Sequence, residues 1–191
     1  MSTTRCVETL RQAQAGFSII ELMIVITIIG VLAGFAIPSF NEMIANNRRT
    51  TVVNELLSNV MLARAEAAKR GQTVSICANT NGGGLSCTGG GNWDYGWMVF
   101  LDPNADGAIA STNDVITIFK NDYSGITIRS SQGGGPVIVR PFNQRADDFG
   151  FLLICDKRGI DKSRRVCVEK SGRARVSETA CDTADTQSCP P

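Results

Sequence analysis

The sequence has no histidine among its 191 residues, so it lacks the commonest general base and the usual nitrogen ligand of zinc. It also has no C-x-x-C pair, no phosphate-binding G-x-x-x-x-G-K-[ST] loop and no G-x-S-x-G nucleophile elbow. These absences argue against the common zinc sites and the main nucleophilic and phosphate-transfer chemistries. We therefore expect no enzyme activity, no metal and no cofactor.

The net charge is also small, because 19 basic and 18 acidic residues give a formal charge of +1. Attraction to nucleic acid or to a membrane surface must then come from local clusters. Residues 94–128 carry five acidic residues and one basic residue, whereas residues 157–175 carry eight basic and two acidic residues. The chain therefore has a basic end, for which the simple alternative is a solvated hairpin with scattered ion pairs.

One long apolar run stands near the N-terminus. Residues 17–37 form a 21-residue stretch whose only charge is Glu21. As a helix this stretch would be roughly 31 Å long, enough to cross a bilayer core, and a buried core helix is the alternative. A carboxylate inside hydrocarbon is costly without a partner, so Glu21 indicates a functional contact.

The run begins with G-F-S-I-I-E at residues 16–21, which resembles the cleavage and methylation site of type IV prepilins and pseudopilins. The resemblance implies that a prepilin peptidase cuts between Gly16 and Phe17, removes the leader 1–16 and methylates the new amine. It also implies that this amine pairs with Glu21 of a neighbouring subunit. The basic leader stays cytoplasmic by the positive-inside bias. We therefore expect a single pass in the inner membrane with a periplasmic C-terminal domain, and later a place in the pilus fibre.

Cleavage would remove Cys6 and leave six of the seven cysteines. An even number suits a disulfide framework in an oxidising periplasm. Local closure of hairpins favours three bridges, which are Cys77 with Cys87, Cys155 with Cys167, and Cys181 with Cys189.

Beyond residue 37 the apolar residues keep helical spacing as far as Ala67, and Gly71 provides a C-terminal stop. We predict one helix over residues 17–70, with a transmembrane half at 17–37 and an amphipathic half at 38–70. The pattern then becomes that of short strands bounded by turn residues, at residues 73–77, 97–101, 115–119, 126–129, 137–140, 149–155 and 165–169. The fold class is α+β, with the long N-terminal helix packed on an antiparallel β-sheet in the domain 71–191.

Residues 93–107 read W-x-x-G-W-x-V-F-x-D-x-N-x-D-G, a pattern that resembles the soluble domain of minor pilins and pseudopilins of the FimT and GspH group. We interpret Trp93 and Trp97 as core residues rather than an exposed stacking surface. The D-x-N-x-D-G part, from Asp102, also resembles the opening of a calcium-binding EF-hand loop. Asn113 stands where the bidentate acid belongs, so a hairpin loop with Asx turns is favoured.

The segment G-R-A-R at residues 172–175 resembles the DNA-contacting motif of FimT-type minor pilins of competence pili. If the segment is extended, Arg173 and Arg175 lie on one face roughly 6.7 Å apart and can hold successive phosphates of one strand. Gly172 would allow the backbone to approach a partner closely. We expect the nearby cations Lys170, Arg164 and Arg165 to contribute to DNA binding.

The sequence thus predicts a minor type IV pilin that assembles into the pilus and binds DNA non-specifically for uptake in natural transformation. One alternative is a minor pilin that only primes assembly or caps the fibre. The other is a type II secretion pseudopilin of the GspH type. The expected partners are other pilins, the prepilin peptidase, DNA and, before assembly, the inner membrane.

Overall fold

The structure is a computed structural model that describes residues 16–79, 93–131, 135–141, 150–169, 172–181 and 188–189. Within these residues a single long helix, α1 (Ile19–Arg70), is followed by eight strands. The strands are β1 (Val74–Ala78), β2 (Gly96–Leu101), β3 (Val115–Lys120), β4 (Ile126–Ser130), β5 (Val137–Val139), β6 (Phe151–Asp156), β7 (Arg164–Val168) and β8 (Ala174–Ser177). Short 3-10 turns at Thr112–Asp114 and Ile160–Lys162 precede β3 and β7.

The chain forms two compact units, Met1–Met43 and Ile44–Pro191, and α1 contributes residues to both. In the first unit, large apolar side chains of α1 are exposed; Phe35, for example, is 77% exposed. Among the described residues, α1 is the one helix long and apolar enough to cross a membrane, judged by length and composition.

The second unit contains two four-stranded antiparallel sheets. The strand order is β3-β2-β1-β5 in the first sheet and β4-β6-β7-β8 in the second. The predicted antiparallel pairing is confirmed, but the strands form two sheets because β4 pairs with β6 and not with its chain neighbour β3. The next strand, β5, returns to the first sheet beside β1.

The second part of α1 and the inner faces of both sheets share one apolar core. The helix contributes residues at the spacing of one helical face, namely Val52, Val53, Leu56, Val60, Ala63 and Ala67. Ile76 and Val99 come from the first sheet, and Ile128, Ile154 and Val166 come from the second. Full burial of such side chains stabilises a fold by about 1.5–3 kcal/mol each, so this shared core holds helix and sheets together.

Trp93 and Trp97 are fully buried in the same core, which confirms their interpretation as structural residues. The ring of Trp97 stacks on Phe119 with a centroid distance of 4.2 Å and an interplanar angle of 21°.

The end of α1 is the glycine stop that the sequence predicts. Gly71 has a φ of 65° and its N–H donates to the Ala67 carbonyl oxygen at 2.9 Å, a left-handed cap that glycine adopts without strain. Lys69 and Arg70 in the last turn form ion pairs with Glu66 at 3.6 and 2.6 Å.

Candidate functional site

The N-terminal motif stands at the beginning of α1. The helix starts at Ile19, two residues later than predicted, and Phe17 is 84% exposed. Glu21 lies exposed in the first turn, where the helix dipole favours a carboxylate. A Cβ built on Gly16 would meet nothing within 4 Å. Within the first unit, the Gly16–Phe17 bond and the Glu21 carboxylate are thus accessible to a partner.

Two backbone hydrogen bonds link the residue after β7 to the G-R-A-R segment at the beginning of β8. The Gly172 N–H donates to the Glu169 carbonyl oxygen at 2.7 Å, and the Glu169 N–H donates to the Arg173 carbonyl oxygen at 2.9 Å. Gly172 has a φ of 71°, a left-handed conformation that favours glycine. This backbone conformation therefore favours glycine at position 172, and Arg173 lies exposed just before β8.

Arg173 and Arg175 lie on one face of the second sheet. Arg175 stands opposite Cys167, and Ala174 stands opposite Val168. Side chains alternate across a strand, so the two arginines share the face of Cys167, which we call the outer face because Val168 on the other side belongs to the core. Both arginines are exposed; Arg175 lies in β8, and Arg173 immediately precedes it.

Arg175 has two weak contacts. Its Nε lies 3.5 Å from Glu169 Oε1, and its Nη2 donates to the Cys181 carbonyl oxygen at 3.4 Å. The Arg175 and Glu169 side chains are 47% and 50% exposed, and such solvated pairs contribute about 0–1 kcal/mol. The guanidinium can therefore exchange this carboxylate for another anion.

The structure does not bring Arg164 and Arg165 together with the exposed pair. They are neighbours on β7, so their side chains point to opposite faces. Arg165 is on the outer face but is 7% exposed, whereas Arg164 is turned to the other side and pairs with Glu178 at 2.6 Å. Lys170 lies outside the described residues.

Two predicted disulfides are wrong. The structure contains Cys155–Cys189 and Cys167–Cys181, each with a Cα–Cα distance of 5.7 Å. The reason is the β6–β7 register, which places Cys167 opposite Phe151 and hence four residues, roughly 13 Å, from Cys155. Disulfide geometry requires Cα atoms closer than about 7 Å, so each strand cysteine bonds instead to a cysteine of the C-terminal tail.

These bridges fasten the tail to the outer face of the second sheet. Cys181 and Cys189 pack against a small cluster formed by Phe151, Leu153 and Cys155. In the first sheet Cys77 is also disulfide-bonded. Its predicted partner, Cys87, lies outside the described residues.

A buried ionic cluster, not predicted from the sequence, ties α1 to the second sheet. Arg49 is 4% exposed, its Nη1 lies 3.5 Å from Asp156 Oδ2, and it donates to the Lys162 carbonyl oxygen. Arg158 binds the same carboxylate with contacts of 2.5 and 3.0 Å. A signal for the cluster does exist, since Arg49 precedes Val52 by three residues and so lies on the apolar face of α1.

The pKa of Asp156 lies below its ordinary value. Burial is the largest single influence on this pKa and raises it. The hydrogen bonds from Arg158, together with the charges of Arg158 and Arg49, outweigh burial and lower it. The carboxylate is therefore ionised at neutral pH and holds its two cations in place.

The Asp102 loop is a hairpin loop closed by the aspartate itself. Asp102 is 1% exposed and accepts hydrogen bonds from Ser75 Oγ at 2.6 Å and from the N–H groups of Asp106 and Gly107 at 3.1 and 2.9 Å. The Ala108 N–H donates to Asp106 Oδ1 at 2.8 Å, which is an Asx turn. In the described part of the chain, no group of three or more metal-ligating acid, cysteine or histidine side chains comes together.

Comparison with known proteins gives the family. The model of the type II transport protein GspH matches residues 52–172, and that of the prokaryotic N-terminal methylation motif matches residues 11–37. The first match alone covers more than half of the chain. The chain belongs to the GspH family of type IV minor pilins and pseudopilins.

Several curated proteins that are similar to this chain are fimbrial proteins. Fimbrial protein Q of Moraxella bovis is 42% identical over 82 residues, which are 41% of this chain and 52% of that protein. A type IV major fimbrial protein FimA of Dichelobacter nodosus is 40% identical over 39% of this chain and 46% of its own length. This chain thus spans about half the length of these two relatives. A fimbrial protein of Dichelobacter nodosus is 31% identical over 66% of this chain and 71% of its own length.

The pilin fold agrees with a solved structure. The type IV minor pilin FimU of Pseudomonas aeruginosa (strain PAO1) superposes with a TM-score of 0.53 at 18% identity, covering 69% of this chain and 89% of that one. The predicted α+β pilin fold is therefore confirmed.

Proposed function

We propose that this pilin is a minor component of a type IV pilus that binds DNA without sequence preference for uptake in natural transformation. The observation that supports the proposal is the exposed pair Arg173 and Arg175 on one face of the β7–β8 hairpin. An arginine guanidinium binds phosphate with two parallel hydrogen bonds, and two of them at a two-residue spacing can hold successive phosphates. No base-reading groove is needed, so the binding is electrostatic.

The surroundings of the arginine pair are compatible with reversible binding of a ligand. Gly172 itself has no side chain, and among the described residues a Cβ there would meet only Arg64 Cδ, at 3.9 Å. The weak Glu169 contact holds Arg175 before DNA arrives. In the sequence, Lys170 adds a third positive charge two residues before Gly172. Arg164 and Arg165 are not part of this contact, because Arg164 pairs with Glu178 and Arg165 is buried.

Before assembly, the chain is anchored in the inner membrane with its C-terminal domain in the periplasm. The prepilin peptidase cuts between Gly16 and Phe17, and the methylated Phe17 amine pairs with Glu21 of a neighbouring subunit. Support comes from the accessible Gly16–Phe17 bond and from the exposed Glu21 in the first turn of α1, four residues after Phe17.

DNA binding is tested with the full chain in a zwitterionic detergent, by measuring duplex affinity at several salt concentrations. Replacing Arg173→Gln and Arg175→Gln removes two phosphate contacts, so log affinity against log salt should become shallower by about 1.8. The matched control is Lys69→Gln with Lys120→Gln, which removes two exposed charges elsewhere and should leave the slope close to that of the parent. An unchanged slope in the arginine variant would reject this site.

Processing and assembly have their own test. Mass spectrometry of the mature protein should give an N-terminus at methylated Phe17, and a different N-terminus would reject the cleavage site. Glu21→Val makes the helix more apolar, so it should insert normally but enter filaments poorly. Thr27→Val is the control, because the Thr27 hydroxyl already donates to the Met23 carbonyl oxygen within the same helix. Equal incorporation of both variants would show that Glu21 is not the assembly contact.

A second candidate is a pseudopilin of a type II secretion system. It is favoured by the family description, type II transport protein GspH, over residues 52–172. Deleting the gene separates the two functions. The pilus proposal predicts normal protein secretion with reduced DNA uptake, and the pseudopilin alternative predicts the reverse.

A further inference from the structure

A pocket of about 170 Å³ lies in the second unit between α1, the turn before β4 and the turn after β6. Ala45 and Arg48 form its α1 wall, and Ser124, Gly125 and Lys157 line the turns. The pocket adjoins the Asp156 end of β6, whereas the arginine pair stands beside Cys167 near the far end of β7. It is therefore a separate site from the proposed DNA contact.

Two positive charges of this Arg48 pocket are uncompensated. Asp156 and Arg158 also line it, but they are bound to each other at 2.5 Å and offset one another. Arg48 and Lys157 are exposed, and neither has a hydrogen-bond or ion-pair partner among the described residues. A cavity with two free cations and a hydroxyl from Ser124 suits an anionic oxygen group such as a phosphate.

The turn before β4 is shaped to accommodate Lys157. Gly125 has a φ of 83°, and a Cβ there would lie 3.1 Å from Lys157 Cε. The missing side chain thus lets the stem of Lys157, which lines the pocket, lie against the turn. On the helix side, the short side chain of Ala45 leaves the space open.

Few residues separate the pocket from the apolar run in the sequence. Seven residues separate Ile37, the end of the apolar run, from Ala45. As helix these residues span about 12 Å, and the headgroup layer beyond the hydrocarbon is itself several ångströms thick. Met43 and Ile44 are still apolar and exposed. Arg48 is thus among the first cations after the membrane segment, and its long side chain can extend toward the headgroups.

We propose that the Arg48 pocket binds the phosphate headgroup of an anionic phospholipid while the pilin is still anchored in the membrane. Basic side chains next to a membrane segment are attracted to anionic lipids by about 1 kcal/mol each. A headgroup in the pocket would hold the second unit at the membrane surface. Leaving the membrane for the filament then releases the lipid.

The test uses the full chain in a zwitterionic detergent, titrated with short-chain phosphatidylglycerol and read out by native mass spectrometry. Phosphatidylcholine with the same chains is the neutral-lipid arm, and inorganic phosphate and duplex DNA are the free-anion and nucleic-acid arms. The variant is Arg48→Gln with Lys157→Gln, and the control is Lys69→Gln with Lys120→Gln, of equal charge loss. Fluorescence of the buried Trp93 and Trp97 verifies that each variant is folded.

Removing the two pocket cations should weaken phosphatidylglycerol binding about 30-fold, since each cation accounts for about fivefold. The control, the arginine-pair variant and the phosphatidylcholine arm should show no such change. Equal affinity of parent and pocket variant would overturn the proposal. The proposal would also be overturned if inorganic phosphate bound as tightly as the lipid. The same holds if the pocket variant lost DNA binding without losing lipid binding. If the double variant does not fold, the fallback is Lys157→Glu, a single change at an exposed position. It should show a comparable loss of phosphatidylglycerol binding. Parental affinity in that variant would also overturn the proposal.

Discussion

The buried Arg49–Asp156 pair should be a major determinant of the stability of the second unit, and Asp156→Asn tests this. At 3.5 Å and an effective dielectric constant of about 20, the attraction between the two charges is about 5 kcal/mol. The cost of desolvating the two charges offsets much of this attraction. Removing one partner, however, leaves the other charge buried and unpaired, which costs about 3–5 kcal/mol in buried pairs. Arg49 retains its bonds to Asn46 and the Lys162 carbonyl oxygen. We therefore expect a loss near 3 kcal/mol.

The assay is urea unfolding of the full chain in detergent, with the disulfides intact. Both tryptophans are fully buried, so their fluorescence reports loss of the core. Asp122→Asn is a matched control, because Asp122 pairs with Lys120 at the same 3.5 Å but is 75% exposed; it should change the unfolding free energy by less than about 1 kcal/mol. A loss below about 1 kcal/mol for Asp156→Asn would show that the buried pair contributes no more than an exposed one.

Acidification should affect the same pair. The folded pKa of Asp156 is below its ordinary value, so its contribution to stability is fully present above about pH 4 and disappears as the pH falls through the folded pKa. The parent should therefore lose more unfolding free energy than Asp156→Asn over this acid range. Parallel pH profiles would be inconsistent with the lowered pKa.

Three further results are expected. Leu56→Ala at the core centre, where Leu56 is 0% exposed, should lower the unfolding free energy by about 2–5 kcal/mol, and a smaller loss would mean that the core collapses around the gap. Cys167→Ala with Cys181→Ala opens a loop of sequence separation 14 and should lower the same free energy by about 3 kcal/mol; unchanged unfolding would show that the bridge constrains little. Glu169→Gln removes the carboxylate that competes for Arg175, so DNA affinity should rise about two- to fivefold, and a fall would place Glu169 in a supporting role.

The features that follow from periodicity are predictable from the sequence. The helix can be predicted to within two residues because its apolar spacing and its glycine stop are local signals. The strand cores can be recognised by their composition. The exception is β8, which is not among the predicted strands, because a four-residue strand with one arginine and one serine gives little apolar signal.

The features that depend on pairing between distant residues are not predictable in this way. Short sequence separation favours a Cys155–Cys167 bridge, but strand register decides which cysteines meet, and that register follows from long-range packing. The division into two sheets has the same origin. The opposite orientation of Arg164 and Arg165, in contrast, follows from simple alternation along a strand and could have been recognised from the sequence.

The proposed role of the arginine pair in DNA uptake, and not in filament assembly, can be measured in living cells. Transformation frequency and the amount of the chain in sheared pili are followed in the same cells carrying Arg173→Gln and Arg175→Gln. We expect transformation to fall while incorporation equals that of the parent, because both side chains lie exposed on the outer face, away from the core. Transformation at the parental frequency, with the variant present in pili at parental amounts, would show that the pair does not serve uptake.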